Sequence, residues 1–357
     1  MRQAAKDSPF TIGPVLQHPG TDRMTVLWET KAEVQGKVIY TPPGGSNGRV
    51  EDPRPVTLHR SVLTGLVPAT DYEYCVVVGA STLFRGSFRT LPERGPYRVV
   101  IFGDSHAPAE GFRALVPRIG EADPDFIVIL GDMVASGHHM DNWLAFFEMG
   151  RDLFARIPFT TIIGNHDVKH ETELYDRYIG RPDRTPEGYY YRTADVGGDR
   201  FLFLDSRNDL LFFHHGFWLI RTLRELKRRR DARHIFVFTH LGPVSYKALR
   251  RGFIGLKPLL PLMGRAGVSA IFSGHDHHYL RGRTHWGVPF FISGGGGGKL
   301  YPVSRRSPYA WLVGKKEVEA VTHQFLVLDV ADGRCTVRSI DKGGSVIDEV
   351  TLSPGTR

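Results

Sequence analysis

Five times in this chain an apolar run, rich in β-branched and aromatic residues, stops at a side chain able to ligate a metal ion. Val99-Val100-Ile101-Phe102 is followed by Gly103-Asp104-Ser105-His106, and Phe126-Ile127-Val128-Ile129-Leu130 by Gly131-Asp132. Thr160 to Ile163 ends in Gly164-Asn165-His166-Asp167, Ile235 to Phe238 in Thr239-His240, and Ser269 to Phe272 in Ser273-Gly274-His275-Asp276-His277. Continuous short apolar runs of this kind read as strands buried on both faces. Between them lie segments of helical period: Ala109 to Glu121, Trp143 to Phe154, and a basic stretch around Arg221 to Arg233 with Leu219, Leu223 and Leu226 on one face. Strands alternating with helices predict an α/β sheet, whose ligands sit beyond the carboxyl ends of the strands. If Asp104 and His106 continue the extended chain, residues i and i+2 project to the same side.

The donors collected in this way are Asp104, His106, Asp132, Asn165, His240, His275 and His277. Two cations sharing one carboxylate would each receive four protein bonds from this set, leaving positions open for water and substrate. No cysteine belongs to it, which argues against a structural zinc site. Mixed oxygen and imidazole donors suit manganese, iron or zinc.

The first ninety residues read differently. Met24 to Trp28, Lys37 to Tyr40, Val56 to Leu63, Tyr72 to Val78 and Leu83 to Phe88 are short strands separated by turn residues, with no helical period. This predicts an all-β sandwich over residues 8–91. Leu63-x-Gly65-Leu66-x-Pro68-x-Thr70-x-Tyr72-x-Tyr74 resembles the fibronectin type III signature, in which the tyrosine closes a corner between the sheets. Leu91-Pro92-Glu93-Arg94-Gly95-Pro96 reads as a linker to a catalytic domain over 97–352, with the strands near 324–330, 334–340 and 346–352 expected to complete its second sheet.

Taken in order, Gly103-Asp104-Ser105-His106, Gly131-Asp132, Gly164-Asn165-His166-Asp167, His240 and Gly274-His275-Asp276-His277 resemble the calcineurin-like metallophosphoesterases. The resemblance implies a four-layer α/β/β/α sandwich with two central sheets and a pair of divalent ions at the strand ends. Asp104, His106 and His277 would hold one ion, Asn165, His240 and His275 the other, and Asp132 would bridge. His166 would lie beside the substrate and protonate the leaving group, oriented by Asp167. The expected reaction is hydrolysis of a small phosphate ester by water activated between the ions. A β-sandwich ahead of this set is similar to the domain order of purple acid phosphatases, which favours phosphomonoesters. The alternative is a phosphodiesterase acting on cyclic nucleotides or other diesters. In two respects the chain departs from purple acid phosphatases: Ala135 stands where they carry a ligand tyrosine, and His106 is a histidine they lack.

The remaining features exclude more than they assign. The net charge of +8 favours anionic ligands, but no nucleic-acid motif accompanies it. No apolar run reaches membrane-spanning length, and Met1 to Pro9 has no signal-peptide pattern, so the expected location is cytoplasmic unless a leader has been removed. Cys75 and Cys335 read as two buried thiols. Gly294 to Lys299 has the wrong spacing for a phosphate-binding P-loop and reads as a close-packed turn near the ligands. Asp205 reads as structural, His278 as lying behind or outside the site, and His138, His139, His214 and His215 as loop residues. Residues 299–320, with Lys299, Tyr301, Arg305, Arg306, Tyr309, Trp311, Lys315 and Lys316, are expected to rim the cleft.

Overall fold

The structure is a computed structural model and describes residues 8–168, 172–180, 183–207, 212–229, 231–248, 250–304, 310–331 and 333–354. The amino-terminal strands are β1 (Phe10–Gln17), β2 (Arg23–Val34), β3 (Gly36–Thr41), β4 (Gly48–Glu51), β5 (Val56–Thr64), β6 (Asp71–Val78) and β7 (Ser81–Arg89). One sheet runs β1-β2-β5 and the other β4-β3-β6-β7. Between them Leu16, Val26, Trp28, Val38, Leu63, Tyr72, Val76 and Phe88 form a closed core. The Tyr72 hydroxyl accepts the Val67 N–H at 2.9 Å, which ties the corner between the sheets.

From residue 97 onward strands and helices alternate. β8 (Tyr97–Phe102), α1 (Glu110–Glu121), β9 (Phe126–Ile129), α2 (Met140–Met149), α3 (Arg151–Phe154) and β10 (Phe159–Thr161) make a parallel sheet with its helices. The 143–154 stretch, read as one helix, is two. Gly150 leaves helical geometry at φ −96°, ψ 8°, and any Cβ there would collide with the Phe154 ring. After α4 (Glu173–Tyr175) the second sheet is built from β11 (Arg192–Val196), β12 (Asp199–Leu204), β13 (Ile235–Thr239), β14 (Ala270–Ser273), β15 (Tyr279–Thr284), β16 (Pro289–Ser293) and β17 (Gly314–Ala320). Its order is β11-β12-β13-β14-β16-β15-β17. Helices α5 (Phe212–Arg229) and α6 (Leu260–Ala266) lie against it, and α7 (Ala310–Val313) leads into β17.

Apolar side chains occupy three layers here. Phe112, Phe146, Phe154 and Phe159 fill the space between α1–α3 and the first sheet. Val99, Ile101, Phe201, Phe238, Phe272 and Phe291 lie between the two sheets, and Leu219, Leu223, Val237 and Ile271 between the second sheet and α5. These packings define the four-layer α/β/β/α arrangement, with the basic residues of α5 on the face away from Leu219 and Leu223.

Two sheet assignments differ from the sequence reading. β18 (Gln324–Ala331), β19 (Arg334–Asp341) and β20 (Val346–Leu352) join the first sheet, not the second, because β18 pairs antiparallel with β8, Leu326 opposite Ile101. The first sheet also continues into the amino-terminal sandwich: β1 bridges β10 at Gln17 and Phe159, giving nine strands in the order β20-β19-β18-β8-β9-β10-β1-β2-β5. Cys335 is buried and Cys75 only half-buried, both as free thiols.

Candidate metal centre

All five ligand-bearing loops lie at the carboxyl ends of adjacent parallel strands: β8, β9 and β10 in one sheet, β13 and β14 in the other. The backbone that presents the donors is not extended. Asp104, His106, Asp132 and His275 have φ of 62°, 46°, 52° and 68°, in the left-handed region that non-glycine residues rarely occupy. Asp104 and His106 therefore converge through a strained turn and not through the two-residue alternation of a strand. Neighbouring glycines make room: a Cβ on Gly164 would sit 2.2 Å from Asp132 Oδ1, and one on Gly274 would sit 2.5 Å from Asp104 Oδ2.

The seven predicted donors come together. His277 Nε2 lies 3.3 Å from Asp104 Oδ1, and His106 Nε2 is 4.0 Å from the same oxygen. On the other side His240 Nε2 approaches Asn165 Oδ1 at 3.1 Å and His275 Nδ1 at 3.2 Å. Asp132 Oδ2 stands between the two groups, 3.5 Å from His106 Nε2 and 3.3 Å from His240 Nε2. Asp104–His106–His277 and Asp132–His240–His275 each offer ligand atoms within 4.8 Å of one another.

The proton positions suit cations. His240 Nδ1 donates to the Leu130 carbonyl at 2.7 Å and His277 Nδ1 to the Lys299 carbonyl at 2.7 Å. A carbonyl accepts only, so Nδ1 carries a proton and Nε2 is the nitrogen that faces the centre, where a cation would take the place of any proton held there. Asp104 Oδ1 and His106 Nε2 are buried there without a hydrogen-bond partner among the described residues. Such orphaned acceptors are costly unless a cation satisfies them, so the donors fit divalent ions.

The protein's own charges respond to this crowding. Burial works against ionisation of Asp132, yet the His240 and His106 imidazoles hold its carboxyl well below the usual range. Burial opposes a charge on His240 too, and Asp132 outweighs it, lifting the ring to about 10. Burial, reinforced by His240 and Arg250, pushes His275 well below the ordinary histidine value and keeps it neutral.

His166 and Asp167 follow Asn165 in one turn. The His166 ring lies against His106, with centroids 4.5 Å apart, and the His166 backbone N–H donates to Asp132 Oδ1 at 2.7 Å. Its Nδ1 is held by the Ala135 carbonyl at 2.8 Å. Asp167, expected to orient that ring, instead accepts the backbone N–H groups of Asp132, Met133 and Gly164. A carboxylate with backbone donors on both oxygens is already engaged, and the carbonyl takes over the ring.

Several residues outside the predicted set also matter. Asp276, between the paired histidines, accepts Ser245 Oγ and the Tyr246 N–H. Its place in Gly-His-Asp-His is the only sequence sign of this. Tyr301, from the expected rim, stacks on His277 at 4.4 Å, and Arg250, which no motif marks, touches His275. Arg305, Arg306 and Tyr309 lie outside the described residues, as does the His214 side chain. His278 and His215 are buried, Asp205 is buried in a bidentate pair with Arg207, and His138 and His139 are exposed. The glycine run packs on the centre, with Gly298 N–H donating to the Asp104 carbonyl at 2.8 Å.

Buried carboxylates and imidazoles converging at the strand ends of a four-layer α/β/β/α fold define a metallohydrolase. Residues 97–279 match the sequence model of the calcineurin-like phosphoesterases, and the chain belongs to that family and is a hydrolase. It is similar to probable purple acid phosphatase 20 of Arabidopsis thaliana, 24% identical over 315 residues covering 79% of this chain and 72% of that one. Serine/threonine-protein phosphatase CPPED1 of Bos taurus is 28% identical over 232 residues, 58% of this chain and 68% of the other. Among solved structures, the purple acid phosphatase PPD1 of yellow lupin (Lupinus luteus) superposes with a TM-score of 0.75 at 18% identity, covering 95% of this chain and 74% of that one. PhoD superposes at 0.70 with 12% identity, covering 98% and 94%. No helix among the described residues is long and apolar enough to cross a membrane.

Proposed function

We propose that the chain is a dinuclear metallophosphoesterase that hydrolyses phosphomonoesters, with a catalytic domain over 97–352 preceded by a fibronectin type III-like sandwich over 8–91. The observation that carries the dinuclear reading is the place of Asp132. Its Oδ2 is within 3.5 Å of His106 Nε2 and 3.3 Å of His240 Nε2, so one carboxylate serves two donor groups. Asp104, His106 and His277 would hold one manganese, iron or zinc ion, and Asn165, His240 and His275 the other. When bound, such a pair neutralises phosphoryl oxygens and acidifies water between the ions.

The chain's own residues supply the rest. With Nδ1 on the Ala135 carbonyl, His166 would use Nε2 to pass a proton to the departing alkoxide. General acid catalysis of this kind is typically worth ~10²–10⁴-fold. Asp167 is a positioning residue through the Asp132 turn. The monoester preference rests on the phosphatases among the relatives and on the sandwich ahead of the catalytic domain.

The test is metal content by elemental analysis together with rates on 4-nitrophenyl phosphate and bis(4-nitrophenyl) phosphate. Two equivalents of metal and a faster monoester rate are expected. A faster diester rate would replace the monoesterase reading with the diesterase one, and His166→Ala should slow alkyl esters more than nitrophenyl esters.

A further inference from the structure

The strand ends away from the metal centre carry a surface that the centre leaves unused. Helix α5 starts after β12 and delivers the chain to the start of β13, and α6 does the same between β13 and β14. Their last turns therefore lie at the amino ends of the parallel strands, opposite the donors. The turn over 285–288 lies at this end too, because it feeds β16, which runs parallel to β14. Pairing of Gly314 with Thr284 brings the end of α7 beside it. Trp311 and Lys315, expected at the rim of the cleft, thus stand across the molecule from it.

Three large apolar side chains are open to solvent here. Trp286, Trp311 and Leu312 are 40%, 73% and 44% exposed, in a molecule that buries Trp28 and Trp143 completely. They belong to one patch. His285 Nε2 donates to the Trp311 carbonyl at 2.7 Å, and the His285 ring meets Trp286 edge-on, with centroids 6.2 Å apart. The His285 backbone N–H adds a bond to the Val313 carbonyl at 2.9 Å. On the other side the turn packs closely on α6: a Cβ on Gly264 would come within 2.6 Å of the Trp286 carbonyl oxygen. The backbone that carries the indoles is thus fastened on both sides.

The charge around this patch is positive. Arg265 lies in the last turn of α6, Lys315 follows α7, and Lys227 and Arg228 stand near the end of α5, which packs against α6. All four are exposed, and none forms an ion pair among the described residues. Nearby carboxylates are engaged, Glu225 with Arg229 at 3.0 Å and Glu317 with Arg283 at 3.3 Å. Asp231, in the turn after α5, offsets part of the surplus. Exposed apolar side chains grouped inside a polar rim mark a surface that meets a partner. Indoles settle at the level of lipid headgroups, ring inward and N–H wet, while lysine and arginine are drawn to acidic headgroups. A second copy joined through this face would set like charges against each other. Duplex nucleic acid would use the cations and leave Leu312 in water.

We propose that this end of the molecule docks on an anionic lipid surface. Trp286, Trp311 and Leu312 enter the headgroup layer, and Lys227, Arg228, Arg265 and Lys315 meet the acidic headgroups. The protein then lies on the bilayer without crossing it, and the metal centre, at the opposite strand ends, faces away from the lipid.

The experiment sediments the full chain with phosphatidylcholine vesicles, with and without phosphatidylserine, at low and high salt. Wild type should pellet only when phosphatidylserine is present, less so at high salt, and its indole emission should shift to the blue. Trp286→Ala combined with Trp311→Ala should weaken binding by about tenfold or more and remove the shift. Lys227→Gln combined with Arg228→Gln should weaken it by about 10–30-fold. Both pairs change exposed side chains, and denaturant unfolding checks that they fold as wild type does. Wild type indifferent to phosphatidylserine, or a tryptophan variant that binds as wild type does, overturns the proposal. With vesicle binding absent, a wild-type dimer broken by the tryptophan variant would give the face to a second copy. Duplex DNA binding lost in the lysine–arginine variant would give it to nucleic acid, and either result overturns the proposal.

Discussion

The Asp167 carboxylate accepts the backbone N–H of Asp132 at 2.9 Å, so one buried acid holds the turn that presents another. The same group takes the Met133 N–H at 2.8 Å and the Gly164 N–H at 2.9 Å, joining the loops after β9 and β10. This clamp helps to explain how Asp132 can occupy a left-handed conformation at φ 52°. Strain at one residue persists when surrounding contacts over-determine it.

Asp167→Asn replaces an acceptor facing those N–H groups with an amide that must turn one donor toward them. Stability should fall by about 1–3 kcal/mol, and metal affinity by about 10–100-fold, as for other residues that support ligands. Denaturant unfolding and manganese titration would measure the two effects. Unchanged metal affinity in this variant would show that the clamp does not position Asp132.

Asp104 and Asp132 are 0% and 1% exposed, so a protein stripped of metal carries two buried carboxylates in close quarters. Metal binding should therefore raise Tm. At a free concentration of 100 times Kd the gain is about 2.7 kcal/mol, enough for a shift of several degrees by scanning calorimetry. Asp132→Asn should abolish most of that shift. A Tm indifferent to both chelator and added metal would contradict the site.

Asp183 joins the amino-terminal sandwich to the second sheet through His18 Nδ1 at 3.3 Å and Arg192 Nε at 3.2 Å. Burial alone would raise its carboxyl, but Arg192, His18 and Arg23 outweigh it and bring the value down to about 2. A carboxyl depressed in the folded state stabilises above its unfolded value near 3.9 and loses that contribution as pH falls toward the folded value. The expected contribution is about 2 kcal/mol at neutral pH, lost between about pH 4 and pH 2. Denaturant midpoints across this range should fall in wild type and fall less steeply in Asp183→Asn.

Tyr72→Phe removes the hydroxyl that accepts the Val67 N–H. The sandwich should lose about 1–3 kcal/mol, while metal binding and ester hydrolysis stay at wild-type levels. Loss of activity without loss of stability would show that the corner communicates with the metal centre.

Ala135 turns its carbonyl to His166 Nδ1 and has no side-chain donor, at the position where a ligand tyrosine would stand. Iron-loaded protein should then lack a visible tyrosinate-to-iron band. Absorption spectroscopy of the protein reconstituted with ferric ion checks this, and a purple product would mean that another tyrosine reaches the metal.

Much of the centre is legible in the order of residues along the chain. The apolar runs of β8, β9, β10, β13 and β14 announce buried strands because burial on both faces leaves no room for polar alternation. The donors that end each run, Asp104 through His277, follow from that local pattern, since a strand's last residues must emerge where a parallel sheet collects its ligands. Tyr72 and its corner are equally visible, in one short segment.

Local pattern says that a segment is buried, but not which neighbour buries it. β18 has the composition of either sheet; only its antiparallel pairing with β8 places β18 to β20 in the first. The bridge from Gln17 to Phe159 joins residues far apart in the chain, and no periodicity carries that information. The same holds at the centre, where Asp167 serves the Asp132 backbone and leaves the His166 ring to Ala135. Arg250 meets His275 from a segment whose start Asp276 anchors at Ser245 and Tyr246. The linear chain determined which donors the strands present, through hydrophobicity and donor type. The fold alone decided which hydrogen bonds and charges each one meets, because those partners arrive from separate strands.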